Sequence, residues 1–326
     1  MNIKKIWNKK IGNFHPDFVE LSRRYHRPVW FFYADALWNK LRNGIGPVVY
    51  FSWAMYRMNQ RERSQFVSER DRKKFEKIFN SNPQKNNIIS SKPDFNRIFA
   101  QWVKREWIYV PDRTDDQIRA FLERNAMLII KPPDKTQGMG VRKAEARELL
   151  DDFDAFIREA REGAYLMEAL IRQHPVMAGI NPSSVNTLRV NTVRDSSGQV
   201  HVIAASLRVG GADQVVDNFS AGGVQYPVDP KTGIIIGGGV MHDGTRDVYF
   251  HPSTNCQVLG LNIPNWDTVL DTVKNAAALP ENIRYVGWDI AITEDGCDMV
   301  EGNINQGVNG MQLDGVGKRR QIIRCK

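Results

Sequence analysis

Residues 286–305 read VGWDIAITEDGCDMVEGNIN. Val286, Trp288, Ile290 and Ile292 alternate with small or polar residues, the period-two pattern of a strand with one apolar face. Glu294, Asp295 and Gly296 supply a three-residue loop ending in glycine, so the stretch is predicted to be a β-hairpin. With Thr293 paired to Cys297, Asp289 comes to lie opposite Glu301. Asn303, two residues further on, points the same way as Glu301, so three oxygen-bearing side chains share the face opposite the tryptophan and isoleucines. A slip of one residue would scatter them.

Two carboxylates side by side on paired strands repel unless a cation or a proton lies between them. Magnesium takes carboxylate and amide oxygens and completes its shell with substrate phosphates, so it suits Asp289, Glu301 and Asn303 better than zinc does. The competing interpretation is a solvated hairpin face with ordinary polar residues.

At 326 residues, with 42% hydrophobic and 25% charged residues, the chain can build a sizeable core spread over two or three lobes. Three cysteines, Cys256, Cys297 and Cys325, lack metal-type spacing, so a reduced protein is expected rather than a disulfide scaffold. The start, MNIKKIWNKKIGNF, has no apolar segment of signal-peptide length, and no stretch reaches the roughly 20 apolar residues of a spanning helix. The expected location is the cytoplasm.

Charge is unevenly spread. Residues 1–107 hold 22 Lys and Arg against 9 Asp and Glu, whereas the remainder holds 23 against 28. A basic, aromatic-rich stretch, RRYHRPVWFFYADALWNKLRNG, could face an anionic membrane surface, a glycan or nucleic acid. The favoured primary role is a small helical domain that buries Trp30, Phe31, Phe32 and Trp38, with peripheral contact at the inner membrane face as an added role and no nucleic acid expected.

Residues 14–58 read as short helices broken at Gly44, Gly46 and Pro47, and residues 59–79 as one amphipathic helix. A further helix is predicted from Phe95 to Trp107. Thr114 and Gln117 have capping-box spacing ahead of Ile118, Phe121 and Leu122. The pattern then changes to strand (MLIIK, 127–131), turn (DKTQGMG), strand (VRKAE), one helix ending near Gly163 and strand (AYLMEAL). The larger remainder is mostly strands, with VNTLRVNTVRD and VHVIAASLRVG forming a hairpin around Ser196, Ser197 and Gly198, and a helix in NWDTVLDTVKNAAALP. Expected domains are 1–107, basic and helical; 108–172, a small lobe with phosphate loop and hinge; and 173–326, a large lobe with metal and substrate.

Lys131 ends an apolar strand just before a loop with Gly138 and Gly140, whose backbone amides could cradle phosphate oxygens. Taken alone, such a loop is more often only a turn. Glu168 precedes Ala169, Leu170 and Ile171 where a strand exits, and could stand at an inter-lobe hinge or be a structural carboxylate. Arg189 and Arg208 on adjacent strands share a face if the turn between them is even, and call for an anion or for salt bridges to acids not yet identified. DNFSAGGVQYPVD, with Asn218, is either a flexible ligand loop or a surface connection.

The ordered series KPPDKTQGMGV, YLMEALI, NTLRV, LRVGG, DNFSAGGV, GWDIAIT and EGN resembles the ATP-grasp superfamily, and most closely its sugar-transfer-associated branch from polysaccharide gene neighbourhoods. The resemblance covers residues 90–320. It implies an α+β ATP-grasp fold, two lobes clasping ATP, preceded by the basic, mainly helical region. It further implies Lys131 on the ATP phosphates, Gly138 and Gly140 in the covering loop, and Glu168 with Leu170 and Ile171 at the adenine hinge. Arg208 would lie near the transferred phosphoryl group, Asp289, Glu301 and Asn303 would hold magnesium (Mg2+), and Arg189 and Asn218 would support the nucleotide. Two departures stand out: the loop has only two glycines, and no ribose-binding carboxylate follows the hinge, where Gln173 and His174 stand instead.

The implied activity is an ATP-dependent carbon–nitrogen ligase, in which a carboxylate takes the γ-phosphoryl group and an amine captures the acylphosphate. Its carboxylate and amine substrates would be glycan-linked, sugar-related or amino acids. A kinase using the same clasp, or a non-catalytic nucleotide-binding module at a membrane-associated glycan assembly, are the alternatives.

Overall fold

Two antiparallel sheets organise the chain. The computed structural model describes residues 14–81, 89, 91–133, 139–211, 222–241 and 245–326. The smaller sheet contains β1 (Trp107–Tyr109), β2 (Met127–Lys131), β3 (Arg142–Glu145) and β4 (Leu166–Ala169), in the order β1-β4-β2-β3. The larger contains β5 (Thr187–Arg194), β6 (Val200–Val209), β7 (Val224–Val228), β8 (Val240–Met241), β9 (Tyr285–Thr293) and β10 (Gly296–Asn303), in the order β10-β9-β5-β6-β7-β8.

In the small sheet, Leu128, Ile130 and Met167 pack with Ile118, Phe121, Phe153 and Phe156 from helices Asp115–Arg124 and Phe153–Glu162. The alternation of the strands sends Lys131 and Glu168 to the other face, towards the large sheet. The helix predicted to run unbroken to Gly163 is two, Ala146–Asp151 and Phe153–Glu162, because the Asp152 carboxylate accepts from the Ala155 amide and starts the second one afresh. Thr114 and Gln117 form the expected capping box.

One face of the large sheet carries Leu188, Val190, Leu207, Val209, Trp288 and Ile290 into a core completed by Val269 and Val273 of helix Trp266–Ala278. Phe95 and Phe99 join that core, with Phe99 edge-on to Trp288. Each fully buried side chain of this kind stabilises by roughly 1.5–3 kcal/mol relative to exposure. The helix predicted for 95–107 covers only Lys92–Ile98, with Pro93 in its first turn. Beyond it the backbone is drawn to β10: Met299 N donates to Trp102 O, and the amides of Lys104 and Arg105 donate to Asp298. Tertiary hydrogen bonding overrides helical propensity there.

The front region lies on the same sheet. Phe75 and Phe79 surround Tyr285 of β9, and Phe18, Phe51, Trp53 and Phe66 continue that cluster to Met311 and Ile322. The single helix predicted for 59–79 is two, Gln60–Arg63 and Glu69–Phe79, each opened by its own capping box (Asn59 with Glu62, Ser68 with Asp71), with Phe66 and Val67 buried between them. Of the four aromatics expected in the front core, only Phe32 is buried. Trp30, Phe31 and Trp38 are exposed, because helix Val29–Asn43 turns Phe32, Ala36 and Asn39 inward instead.

Candidate functional site

The hairpin of β9 and β10 turns in two residues, not three. Thr293 pairs with Gly296, whose φ of 136° favours glycine, and Cys297 faces Ile292 rather than Thr293. Continued without interruption, that register would leave Asp289 opposite Val300. One extra residue, Val300, bulges between the Met299–Ile290 and Glu301–Asp289 pairs and restores the opposition of the carboxylates. Asn303 follows opposite Gly287.

The neighbouring strand supplies the counter-charge. Arg189 of β5 is the cross-strand partner of Asp289 and grips it through Nε and Nη2, the latter at 2.8 Å from Oδ2. Arg208 of β6, diagonal to Arg189 across the Thr187 pairing, donates Nη1 to the same oxygen at 2.8 Å. The two arginines therefore share a face, and the acid between them is Asp289. Burial alone would raise the Asp289 pKa, but the two guanidiniums hold it down to about 2. Glu301 is pushed the other way, by burial first and then by the charge of Asp289, with the Asn303 amide donating to its Oε1 at 3.0 Å.

Among the described residues no three His, Cys, Asp or Glu side chains come together. Asp289 and Glu301 with the amide of Asn303 thus form an all-oxygen donor set. It lacks the thiolates and imidazoles of a zinc site and fits a magnesium ion whose remaining ligands are phosphates and water.

Facing it is a second ionic cluster. Lys131 Nζ lies 2.5 Å from Glu168 Oε2, and Glu168 Oε1 accepts from Arg105 Nη2 at 2.8 Å and Asn96 Nδ2 at 3.1 Å. Arg105 also donates to Asp298 Oδ1 at 2.7 Å and Met299 O at 2.9 Å, tying the small sheet to β10 two residues before Glu301. Burial would raise the Glu168 pKa, yet Arg105 and Lys131 hold it well below the usual carboxylate range. Its carboxylate is thus engaged by protein cations, and Ala169, Leu170 and Ile171, where a hinge is expected, are half-buried. Arg105 and Asp298 were not foreseen: they stand 193 positions apart, and no spacing connects them.

Gly140, at φ 72°, closes the turn before β3, whereas Gly138 and Asn218 lie outside the described residues. Gln173 and His174, which follow the expected hinge, have partners within the protein. Gln173 donates to Asn181 O and Ser184 O and accepts from Asn186, and His174 Nδ1 accepts from the Val176 amide. A further polar set went unforeseen beside Arg189. Asn191, Ser206 and Gln306 are buried, and Asn191 Oδ1, Ser206 Oγ, Gln225 Oε1 and Gln306 Nε2 find no partner among the described residues. Buried polar atoms left so are costly unless a ligand or water satisfies them. Single Asn, Ser and Gln residues carry no motif that could have announced them.

Several solved structures resemble the chain. PsnB, an ATP-grasp ligase complexed with a phosphomimetic variant of its minimal precursor, Mg and ADP, is 17% identical with a TM-score of 0.46, over 76% of this chain and 60% of that one. Biotin carboxylase from Campylobacter jejuni is 13% identical with a TM-score of 0.49, over 73% and 46%. L-amino acid ligase from Bacillus licheniformis is 12% identical with a TM-score of 0.44, over 74% and 48%. The chain therefore spans less than two thirds of each. No curated protein sequence matches it. The model of the sugar-transfer associated ATP-grasp family matches residues 101–324, which takes in both sheets and every residue of the two ionic clusters except Asn96, and the chain belongs to that family.

Proposed function

We propose that the chain is an ATP- and magnesium-dependent ligase that joins a carboxylate to an amine through an acylphosphate, on a glycan-linked, sugar-related or amino-acid substrate. One observation carries the proposal: two opposed carboxylates and two arginines occupy one partly buried patch of sheet, so oxygen donors for a cation adjoin guanidiniums for an anion. Magnesium held by Asp289, Glu301 and Asn303 would supply charge neutralisation for the phosphates. Arg208 and Arg189 would stabilise negative charge on the transferring phosphoryl group, and Lys131 would meet the phosphates from the small sheet. To reach them, Lys131 exchanges one carboxylate oxygen of Glu168 for a phosphate oxygen, while Arg105 keeps Glu168 in place.

In the reaction, a substrate carboxylate oxygen attacks the γ-phosphorus as the bond to ADP breaks. An amine nitrogen then attacks the acyl carbon, phosphate leaves and the nitrogen loses a proton. The chain's work is positioning and electrostatics, with Glu168 and Asp289 orienting the cations on either side.

Incubation with ATP, magnesium and panels of uronic and amino acids in hydroxylamine tests this. Hydroxamate that depends on one carboxylate is the expected result. A stable phosphoester accumulating without hydroxamate would replace the ligase by a kinase.

A further inference from the structure

The front region presents an apolar stripe to solvent that the catalytic proposal does not use. On helix Val29–Asn43, Trp30, Ala34, Leu37, Trp38 and Leu41 follow one another at helical spacing, and Trp30, Trp38 and Leu41 are 69%, 53% and 66% exposed. From Trp30 to Leu41 the stripe runs roughly 16 Å along the helix. The opposite side of the same helix is held in the core by Phe32 and Ala36. The stripe is therefore a fixed feature of the folded protein.

Its surroundings are cationic. Between Leu21 and Val48 stand Arg23, Arg24, Arg27, Lys40 and Arg42, all exposed, and a single acid, Asp35. Asp35 is neutralised by a two-pronged bond to Arg63 and by the Tyr50 hydroxyl. Arg27 lies over the Phe31 ring at 5.4 Å and Arg42 over the Trp38 ring at 5.8 Å, so cations flank the stripe at both ends.

We infer that this helix docks the protein on an anionic lipid surface, with Trp30, Leu37, Trp38 and Leu41 entering the interface and the arginines and lysine meeting the headgroups. Exposed tryptophans and leucines rimmed by Lys and Arg are the composition of helices that lie in the plane of a bilayer. The stripe lies on the outward side of one helix, with Trp30, Trp38 and Leu41 each more than half exposed. Among the described residues before Val48 the exposed acids are Asp17 and Glu20, against exposed Arg23, Arg24, Arg27, Lys40 and Arg42, so a second copy would meet mostly like charge. Among the described residues no helix is long and apolar enough to cross a membrane, so the contact is peripheral.

The full chain is sedimented with phosphatidylcholine vesicles with and without phosphatidylglycerol, at low salt and at about 150 mM salt. Binding is expected only with the anionic lipid, weakening with salt. Trp30→Ser with Trp38→Ser should lower partitioning at least tenfold, and Arg23→Gln, Arg24→Gln and Lys40→Gln together should do so at low salt, with thermal melts of both variants unchanged. No binding to anionic vesicles at low salt, or binding that neither variant weakens, overturns the inference. So does light scattering that shows a dimer dispersed by the tryptophan substitutions without vesicle binding, which would assign the stripe to a second copy.

Discussion

Asp289 and Glu301 oppose each other across β9 and β10 only because Val300 is an extra residue on one strand. The bulge sets the buried Asp289 carboxylate face to face with the half-buried one of Glu301, and the surroundings treat them unequally. Asp289 is held ionised by Arg189 and Arg208, while the Glu301 carboxyl is driven towards its protonated form. Such asymmetry leaves Glu301 as the group whose charge a bound cation would restore.

Glu301→Gln should therefore lower ATP turnover by at least about 100-fold, a loss of roughly 2.7 kcal/mol of transition-state stabilisation, while preserving the fold. Without magnesium its Tm should equal or exceed that of the parent, since an amide is neutral beside Asp289 without having to take up a proton. Steady-state ADP release and thermal melts check both halves. Turnover near the parent rate would remove Glu301 from the metal set.

The hairpin was legible because alternation and paired acids are local signals, whereas Arg189 and Arg208, placed on one face by the sequence only on condition of an even turn, share it through the register shift between Asn191 and Thr192. Val300 was not legible, since a bulge follows from competition between neighbouring strands and leaves no mark in composition. Arg105, Glu168 and Asp298 meet through the tertiary fold alone. The front helix shows too little contrast: in VWFFYADALW only Asp35 is charged, so the pattern does not reveal which aromatics face water.

Arg105 links three segments with its side chain only 2% exposed. Arg105→Met removes the cation and leaves Glu168 and Asp298 facing each other's field in a buried site. The expected loss is about 3–5 kcal/mol, the usual cost of removing one partner from a buried pair. Urea unfolding measures it. A loss below about 1 kcal/mol would mean that water already reaches the cluster.

Acid should weaken the same cluster. The folded-state pKa of Glu168 is depressed, so the group contributes stability above its ordinary value of 4.5, and that contribution is lost as pH falls from there through the folded value. Asp298 and Glu301 have raised values and act with the opposite sign, penalising the folded state as they ionise with rising pH. The unfolding free-energy gap between the parent and Glu168→Gln should accordingly be widest near pH 7 and shrink towards pH 3. A gap independent of pH would show that Glu168 does not ionise in the folded protein.

Gly287 tests the arginine's role by crowding it. A Cβ there would sit 2.7 Å from Gln306 Oε1 and 3.0 Å from Arg189 Cδ, and Gln306 is buried, so one of the two must move. Gly287→Ala should cost about 1–3 kcal/mol through overpacking and should also lower kcat, because displaced Arg189 loosens its hold on Asp289. Gly198→Ala is the control: nothing lies within 4 Å of its Cβ, but φ is 89°, so it strains only the turn between β5 and β6. That substitution should cost about 1–2 kcal/mol and leave kcat unchanged. Equal kcat losses in the two variants would trace the effect to general destabilisation and detach Arg189 from phosphoryl transfer. A loss confined to Gly287→Ala, at matched fractions of folded protein, ties the rate to the position of that guanidinium.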